Sequence, residues 1–299
     1  RAAKIPGKYR GVLKEPASIL IFNATVWTCG PSGVITNASV RIADGRIAAI
    51  GPDIGAPIPF NGIIIDATGK HVTPGLIDCH SHSMILGGVN EATLPSTAMV
   101  RIADVVNSET ENIYRQLAGG LTAANLLHGS ANPIGGQNAV IKLRHGALPD
   151  DMIFSKAPAG IKFALGENVK QSNWGDKKTT RFPQTRMGVK TFFVNRFTAA
   201  RQYLAEQRAN RATGPPVRRN LELDALGEIL SGERLIHCHS YRQDEMLVFL
   251  RTMERFGIRV GSLQHVLEGY KIADEIAAHG AGASSFADWW AYKFEVYDA

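Results

Sequence analysis

The sequence predicts an α/β protein in which a small N-terminal β module precedes a (β/α) barrel. Short apolar runs with turn residues between them fill the first part of the chain. After His71, short apolar segments alternate with stretches of helical spacing, and a repeated strand and helix is typical of a parallel sheet. We therefore divide the chain into a β module over residues 1–70 and a barrel over residues 71–299.

Four strands are predicted in the N-terminal module. The Asp44-Gly45 pair between two apolar runs predicts a tight hairpin, because glycine tolerates the positive φ that such turns require. The predicted strands are residues 18–26, 38–42, 46–50 and 63–66.

The barrel part is predicted to alternate strands with helices. Its strands are residues 75–78, 122–127, 161–165, 235–237, 259–264 and 281–285. Its helices are residues 97–119, 191–212, 221–231, 243–256 and 269–278. A polar, basic stretch rich in turn residues between Glu167 and Thr191 predicts a long loop.

Composition argues against several classes of function. No apolar run approaches the roughly 20 residues of a membrane-spanning helix, so no membrane partner is predicted. The formal net charge is +6, but the basic runs within residues 177–190 and 201–219 lack interleaved aromatic residues, which favours solvated surfaces over a nucleic-acid site. Three cysteines are too few for a disulfide framework, and the compartment stays undetermined. Because the chain starts at Arg1, we expect residues to be missing upstream.

Histidines at strand ends are the most informative feature of the sequence. One apolar strand ends in His80 and His82, and strand alternation places both imidazoles on one side. A second strand ends in His237 and His239, and a third ends in His265. A barrel gathers the carboxyl ends of its strands around one cavity, where neutral imidazoles can bind a divalent metal. The sequence therefore predicts a metal site, with ordinary hydrogen-bonded histidines as the alternative.

The β module leading into the motif PGLIDCHSH at residues 74–82 resembles the start of amidohydrolase (urease-like) superfamily enzymes. Imidazolonepropionase-like and N-acetylglucosamine-6-phosphate deacetylase-like enzymes are examples of the members that it resembles. The resemblance implies a TIM barrel with an N-terminal β-sandwich, and one or two divalent ions, most often zinc. It also implies hydrolysis of a carbon–nitrogen bond in a small molecule, an amide or cyclic amide of non-peptide or dipeptide-like kind. A non-catalytic scaffold or binding module stays open as the alternative, and so does a homo-oligomer.

The resemblance implies a role for each histidine of the strand ends. His80 and His82 match the first-strand metal ligands, and His237 matches the fifth-strand ligand. His265 matches the sixth-strand histidine, which would bind metal and act in catalysis by stabilising the developing oxyanion. His239 has a weaker counterpart and is expected to support the ligands or to contact substrate.

Two-metal members of the superfamily also need an anion between the metals, either a carboxylated lysine or a glutamate. Glu167 lies at the end of its apolar run, where a carboxylate can face the metals. Lys162 is expected at the start of that strand, which is the wrong end. We therefore expect Glu167 as the metal ligand, with Lys162 as the second choice and plain solvent-facing charges as the remaining alternative.

Three further residues are candidates for substrate binding. His128 follows the second strand in a polar loop, where substrate contact and turn chemistry are equally expected. Tyr241 and Arg242 directly follow the strand that carries His237, and the arginine fork could hold a carboxylate or carbonyl. A helix start without a role in binding is the alternative for these two residues.

The resemblance also implies an aspartate at the end of an eighth strand, which would bind metal and carry a proton. The last strand-like run, residues 281–286, is at most the seventh, and Asp288 comes too early to be that aspartate. The barrel part is also shorter than the roughly 250 residues of a complete barrel. We therefore expect a barrel that is incomplete at the C-terminus, and a chain that is inactive as it stands even where metal binds.

Overall fold

The N-terminal part of the computed structural model is a five-stranded sheet. The structure describes residues 16–56, 59–210, 214–286, 293, 295 and 296. The strands are β1 (Ser18–Trp27), β2 (Val34–Ala43), β3 (Arg46–Gly51), β4 (Ile63–Asp66) and β5 (His71–Val72). Their order is β3-β2-β1-β4, with β5 also pairing to β1. The β1–β2 and β2–β3 pairs are antiparallel, whereas β4 and β5 run parallel to β1.

The turn between β2 and β3 confirms the predicted hairpin. Asp44 and Gly45 have φ angles of 50° and 70°, the left-handed values that a two-residue hairpin turn requires at both positions. One face of the sheet buries a small core of Ala24, Val26, Ala38, Val40 and Ala67. The described strands form a single layer, so the second layer of the expected sandwich stays a prediction.

Two further sheets make up the barrel part. The first has the order β6-β7-β9, from β6 (Leu76–Ser81), β7 (Leu121–Leu126) and β9 (Ala139–Lys142). The second has the order β13-β12-β11-β10-β8, from β8 (Ile134–Gln137), β10 (Ala159–Ala164), β11 (Arg234–Ser240), β12 (Ser262–His265) and β13 (Gly282–Ser284). Strands β10 to β13 are parallel, as are β6 and β7.

Helices connect and cover the parallel strands, which confirms the mixed α/β fold. They are α1 (Glu111–Ala118), α2 (Pro149–Met152), α3 (Arg186–Asn210), α4 (Leu221–Leu230), α5 (Gln243–Arg255) and α6 (Ala273–His279). Phe163 of β10 anchors α3 and α5 to the sheet, because its ring stacks on Phe193 at 5.6 Å and tilts against Phe249 at 6.4 Å. Within the described ranges, no helix has both the length and the apolar character needed to cross a membrane.

The predicted helix over residues 97–119 is wrong for most of its length. Residues 96–101 instead contact β8 through isolated bridges, and a short 3-10 turn follows at Ile102–Val105. A regular helix begins only with α1, where the side chain of Thr110 caps the first turn. Pairing with β8 therefore overrides the helical spacing of this stretch.

Helix α4 begins at a side-chain cap that can be tested. The side-chain oxygen of Asn220 accepts hydrogen bonds from the backbone N–H groups of Glu222 and Leu223, both at 3.1 Å. We expect Asn220→Ala to lower the free energy of unfolding by about 1 kcal/mol, because two helix-terminal donors lose their acceptor. Urea unfolding measures this change. Asn220→Ser, which keeps a capping oxygen, is the control, and equal midpoints for the alanine variant and the wild type would show that the cap contributes nothing.

Candidate metal centre

The end of β6 brings two imidazole nitrogens face to face. His80 is buried and His82 lies at the exposed mouth of the site. The Nε2 atoms of the two rings are 3.2 Å apart, and the rings meet edge to face with centroids 5.0 Å apart. Strand alternation places both side chains on one side, as the sequence predicts.

Acceptors on neighbouring strands determine which nitrogen of each ring carries the proton. Nδ1 of His80 donates to Oε1 of Gln264 at 2.8 Å, and Nδ1 of His82 donates to the carbonyl of Leu127 at 2.9 Å. Desolvation lowers the pKa of His80 to about 3 and shifts the pKa of His82 in the same direction, and the charge of Lys162 adds to both shifts. Both rings are therefore neutral at neutral pH. Their bare Nε2 lone pairs point at each other, an arrangement that a cation between them would stabilise.

Lys162 lies inside this cluster. The prediction that it stands at the start of its strand is wrong, because it lies within β10. It is fully buried, and its Nζ is 3.4 Å from Nε2 of His80. In the parallel pairing of β10 with β11 it stands opposite His237. Burial lowers the pKa of the Lys162 amine to about 7. The apolar run continues on both sides of the lysine, so the strand carries it into the interior.

His239 and His265 complete the group of rings. The ring centroid of His265 is 4.5 Å from that of His239 and 5.0 Å from that of His80. Nδ1 of His239 is hydrogen-bonded to Oγ of Ser130 at 2.8 Å, and Nε2 of His239 is a buried atom without a hydrogen-bond partner among the described residues. Burial lowers the pKa of both rings, that of His265 to about 2.

His237 has a less central position than the sequence suggested. Its Nδ1 is hydrogen-bonded to Oγ of Ser262 at 2.8 Å. Its Nε2 faces the backbone of β10, where a Cβ atom added to Gly160 would lie 2.7 Å away. The role of His237 as the fifth-strand ligand therefore stays a prediction. The ring of His239, the other histidine of that strand, lies in the cluster.

The donor set of the cluster is only partly that of a metal site. In the part of the chain that the structure describes, no group of three His, Cys, Asp or Glu side chains is arranged to hold one ion. His80 and His82 nevertheless offer two neutral nitrogen donors to one point, and the buried Nε2 of His239 lacks a partner. These last two observations fit a divalent metal that prefers imidazole ligands.

Comparison with known proteins identifies the family. No protein-family model matches the chain. An amidohydrolase of known structure from Thermotoga maritima is 31% identical, with a TM-score of 0.81 over 90% of this chain and 70% of that one. The chain belongs to the amidohydrolase superfamily. The family predicted from the PGLIDCHSH motif is thus confirmed.

Two curated relatives are much longer than the part of them that matches this amidohydrolase chain. Amidohydrolase tasK of Hapsidospora irregularis is 27% identical in an alignment 322 positions long, which covers 93% of this chain but only 32% of that protein. An imidazolonepropionase of Acidiphilium cryptum is 41% identical in an alignment 70 positions long, which covers 22% of this chain and 17% of the relative. The chain therefore spans a minor part of the length of either relative.

The carboxylate predicted as a ligand, that of Glu167, is bonded to a neighbouring loop residue. Glu167 is buried just beyond β10, and its Oε1 accepts from Nδ2 of Asn173 at 3.3 Å. Its charge raises the pKa of Tyr241, an effect second only to burial of that phenol. The ring of Tyr241 packs edge to face on His239 with centroids 4.4 Å apart. Tyr241 thus contacts the histidine cluster directly, and the charge of Glu167 acts on this phenol.

The other two substrate-binding candidates have local partners. His128 accepts from the N–H of Glu91 at 2.9 Å and donates to the carbonyl of Gly129 at 2.9 Å, so both ring nitrogens are used by the backbone. Arg242 stands at the start of α5, and its guanidinium forms two hydrogen bonds to Asp244 at 3.0 and 3.1 Å. A substrate contact by His128 would require one of its two bonds to break, whereas the Arg242 guanidinium has N–H groups beyond the two that Asp244 accepts.

Sequence reasoning missed the groups that orient the rings. Gln264, Ser262 and Ser130 each hydrogen-bond the Nδ1 of a different histidine. Ser262 and Gln264 alternate along β12, which is the signal that could have indicated a shared direction. Nothing in the sequence shows which histidine each of them meets. Asp288, set aside at the sequence level, lies outside the described residues.

Proposed function

We propose that this amidohydrolase chain carries a metal-dependent site for hydrolysis of a carbon–nitrogen bond in a small molecule. The substrate would be an amide or cyclic amide of non-peptide or dipeptide-like kind. The supporting observation is the pair of bare Nε2 atoms of His80 and His82, 3.2 Å apart and held by acceptors at their Nδ1 atoms. Imidazoles anchored in this way are typical of metal ligands.

We infer that His80, His82 and His265 would hold the ion, with His239 or His237 as the fifth-strand ligand. One or two divalent ions, most often zinc in such sites, would supply hydroxide at neutral pH by lowering the pKa of water. His265, whose ring centroid lies 5.0 Å from that of His80, would donate a hydrogen bond to the oxygen that gains charge as the carbonyl is attacked.

Lys162 is the stronger of the two candidates for the bridging group. Its Nζ lies 3.4 Å from His80, whereas the hydrogen bond described for the Glu167 carboxylate is to Asn173. The lowered pKa of Lys162 leaves a share of neutral amine near pH 7, and the neutral amine is the form that carbon dioxide can carboxylate. Glu167 is then expected at the rim, on the substrate side of the cluster.

We propose that the barrel closes through a strand added between β13 and β6. Both are edge strands of their sheets, and Sγ of Cys79 in β6 lies 3.3 Å from Oγ of Ser284 in β13. Leu76 and Ile77 of β6 are 60% and 72% exposed. An added strand would cover this apolar edge and could bring the aspartate that the superfamily uses as proton carrier.

A non-catalytic scaffold is the second candidate function. It is favoured by one observation, the lack of three His, Cys, Asp or Glu side chains around one point within the described ranges. A scaffold would keep the histidines for packing and hydrogen bonding without a need for metal. Metal content therefore separates the two candidates.

Elemental analysis of the purified full chain is the test of the metal-dependent site. We expect near-stoichiometric zinc in the wild type and loss of that zinc in the double variant His80→Ala, His82→Ala, because two of the nitrogen donors are removed. His145→Ala is the matched control, since this histidine lies away from the cluster and packs against Tyr114 at 5.9 Å. A well-folded wild type that takes up no zinc would favour the scaffold.

A further inference from the structure

Two cations, Lys170 and Arg186, hold a carboxylate of the chain itself. Oε1 of Glu295 pairs with the ammonium of Lys170, and Oε2 of the same carboxylate lies 2.8 Å from Nη2 of Arg186. The side chain of Lys170 is only 6% exposed. Each carboxylate oxygen therefore has its own cation, and charge-assisted pairs of this kind are the stronger hydrogen bonds of proteins.

We call Lys170, Arg186 and the carboxylate between them the pair site. Its charges balance only while that carboxylate is bound. Nε of Arg186 also contacts Oε1 of Glu245 at 2.8 Å, and that carboxylate accepts the N–H of Gly166 as well. Glu295 is the acid that pairs with Lys170 among the residues the structure describes. A buried ammonium without a partner is costly, so a second carboxylate would stabilise Lys170 whenever Glu295 leaves.

The pair site adjoins the candidate metal centre through Tyr241. The carboxylate of Glu245, which pairs with Arg186, accepts the N–H of Gly166, and a Cβ atom added to Gly166 would lie 3.3 Å from Cδ2 of Tyr241. The Tyr241 ring in turn packs on His239. Nζ of Lys293 is 5.0 Å from the centroid of the Tyr241 ring. Tyr241 therefore contacts His239 on one side and the backbone that binds Glu245 on the other.

We propose that Lys170 and Arg186 form a carboxylate subsite of the candidate active site, in which Glu295 stands in for the carboxylate of a substrate. The reaction part of this inference rests on the proposed function, whereas the binding part does not. The substrate class is a small acid with its carboxylate a few bonds from the carbon–nitrogen bond, such as an N-acyl amino acid or a dipeptide. A neutral amide of the same shape would lack the charge that the two cations require.

Chemical rescue of Glu295→Gln in the full chain tests the subsite. The variant keeps the shape of the side chain but removes its charge, so we expect its melting temperature to fall. N-acetylglycine should restore that temperature, and N-acetylglycinamide, the neutral probe of nearly equal size, should not. Titration calorimetry should show N-acetylglycine binding about tenfold tighter to Glu295→Gln than to the wild type, because the competing carboxylate is gone.

Lys170→Met, a second variant, tests whether the rescue depends on the Lys170 ammonium. It removes the buried cation, so we expect the preference for N-acetylglycine over its amide to disappear in the double variant Lys170→Met, Glu295→Gln. Equal effects of the two probes on Glu295→Gln would overturn the subsite. So would carboxylate rescue that persists after Lys170→Met.

The two proposals fail in different measurements. Zinc uptake and hydrolysis test the metal-dependent function, whereas melting temperature and calorimetry with these probes test carboxylate binding in either the metal-free or the metal-loaded chain. Selective binding of N-acetylglycine by a chain that hydrolyses no carbon–nitrogen bond would support the subsite and contradict the hydrolase. Hydrolysis of neutral amides in preference to their acids would overturn the subsite alone.

Discussion

Lys162→Met is expected to stabilise the metal-free chain at neutral pH. Burial lowers the pKa of Lys162 from 10.5 to about 7, so folding has to expel a proton or bury a charge. Between pH 7 and pH 9 the unfolded chain binds more protons at this lysine than the folded chain does. The free energy of unfolding therefore rises with pH, by as much as about 1.4 kcal/mol per pH unit. Below about pH 7 both states are protonated, and the full cost of the buried charge is present.

Urea unfolding of chelator-treated protein at pH 7, 8 and 9 measures this effect. At pH 7 the free energy of unfolding of Lys162→Met should exceed that of the wild type by several times the experimental error. It should also lack the rise with pH that Lys162 causes. Lys178→Met changes an exposed lysine and should keep the wild-type dependence. A methionine variant with the same stability and the same pH dependence as the wild type would show that the lysine is not penalised by burial.

The same variant distinguishes the two bridging candidates. If Lys162 holds the anion between two metals, Lys162→Met should lower the zinc content of the chain, and Glu167→Gln should leave it unchanged. The reverse result would return the bridging role to Glu167. Either result is read from elemental analysis, independently of any activity.

The strand-end histidines were predictable because two local rules decide their positions. Alternation along a strand puts His80 and His82 on one side, and parallel strands bring their carboxyl ends to one edge of the sheet. The same rules place His237 and His239 on one side of β11. They do not say which of the two rings reaches the cluster, because that depends on how far each strand extends past its neighbour.

Lys162 shows why the rest of the site could not be predicted. Lysine is almost never fully buried, so a lysine within an apolar run predicts a strand boundary. Pairing with β11 on one side and β8 on the other extends β10 past that boundary and carries the amine into the interior. The ring-orienting residues Gln264 and Ser130 depend on contacts between distant parts of the chain, which periodicity does not show.

Gln264→Leu is expected to weaken zinc binding by about 10- to 100-fold, through His80 and without removal of a ligand. Oε1 of Gln264 accepts the Nδ1 proton of His80 at 2.8 Å, and Nε2 of Gln264 donates to Oγ of Ser262, which is hydrogen-bonded to Nδ1 of His237 at 2.8 Å. This chain of bonds fixes the tautomer and direction of the His80 ring. Leucine fills the space but leaves Nδ1 of His80 buried without an acceptor.

Competition against a chelator of known zinc affinity measures the change, and two variants separate its causes. Gln264→Glu keeps an acceptor for His80 and should bind zinc at least as tightly as the wild type, because a carboxylate increases the basicity of the imidazole. Ser262→Ala cuts only the branch toward His237, so its effect reports whether that ring takes part. Unchanged zinc affinity in Gln264→Leu would mean that the backbone of β6 alone sets the direction of His80, and an equal loss in all three variants would point to disturbed packing of β12 instead of ring orientation.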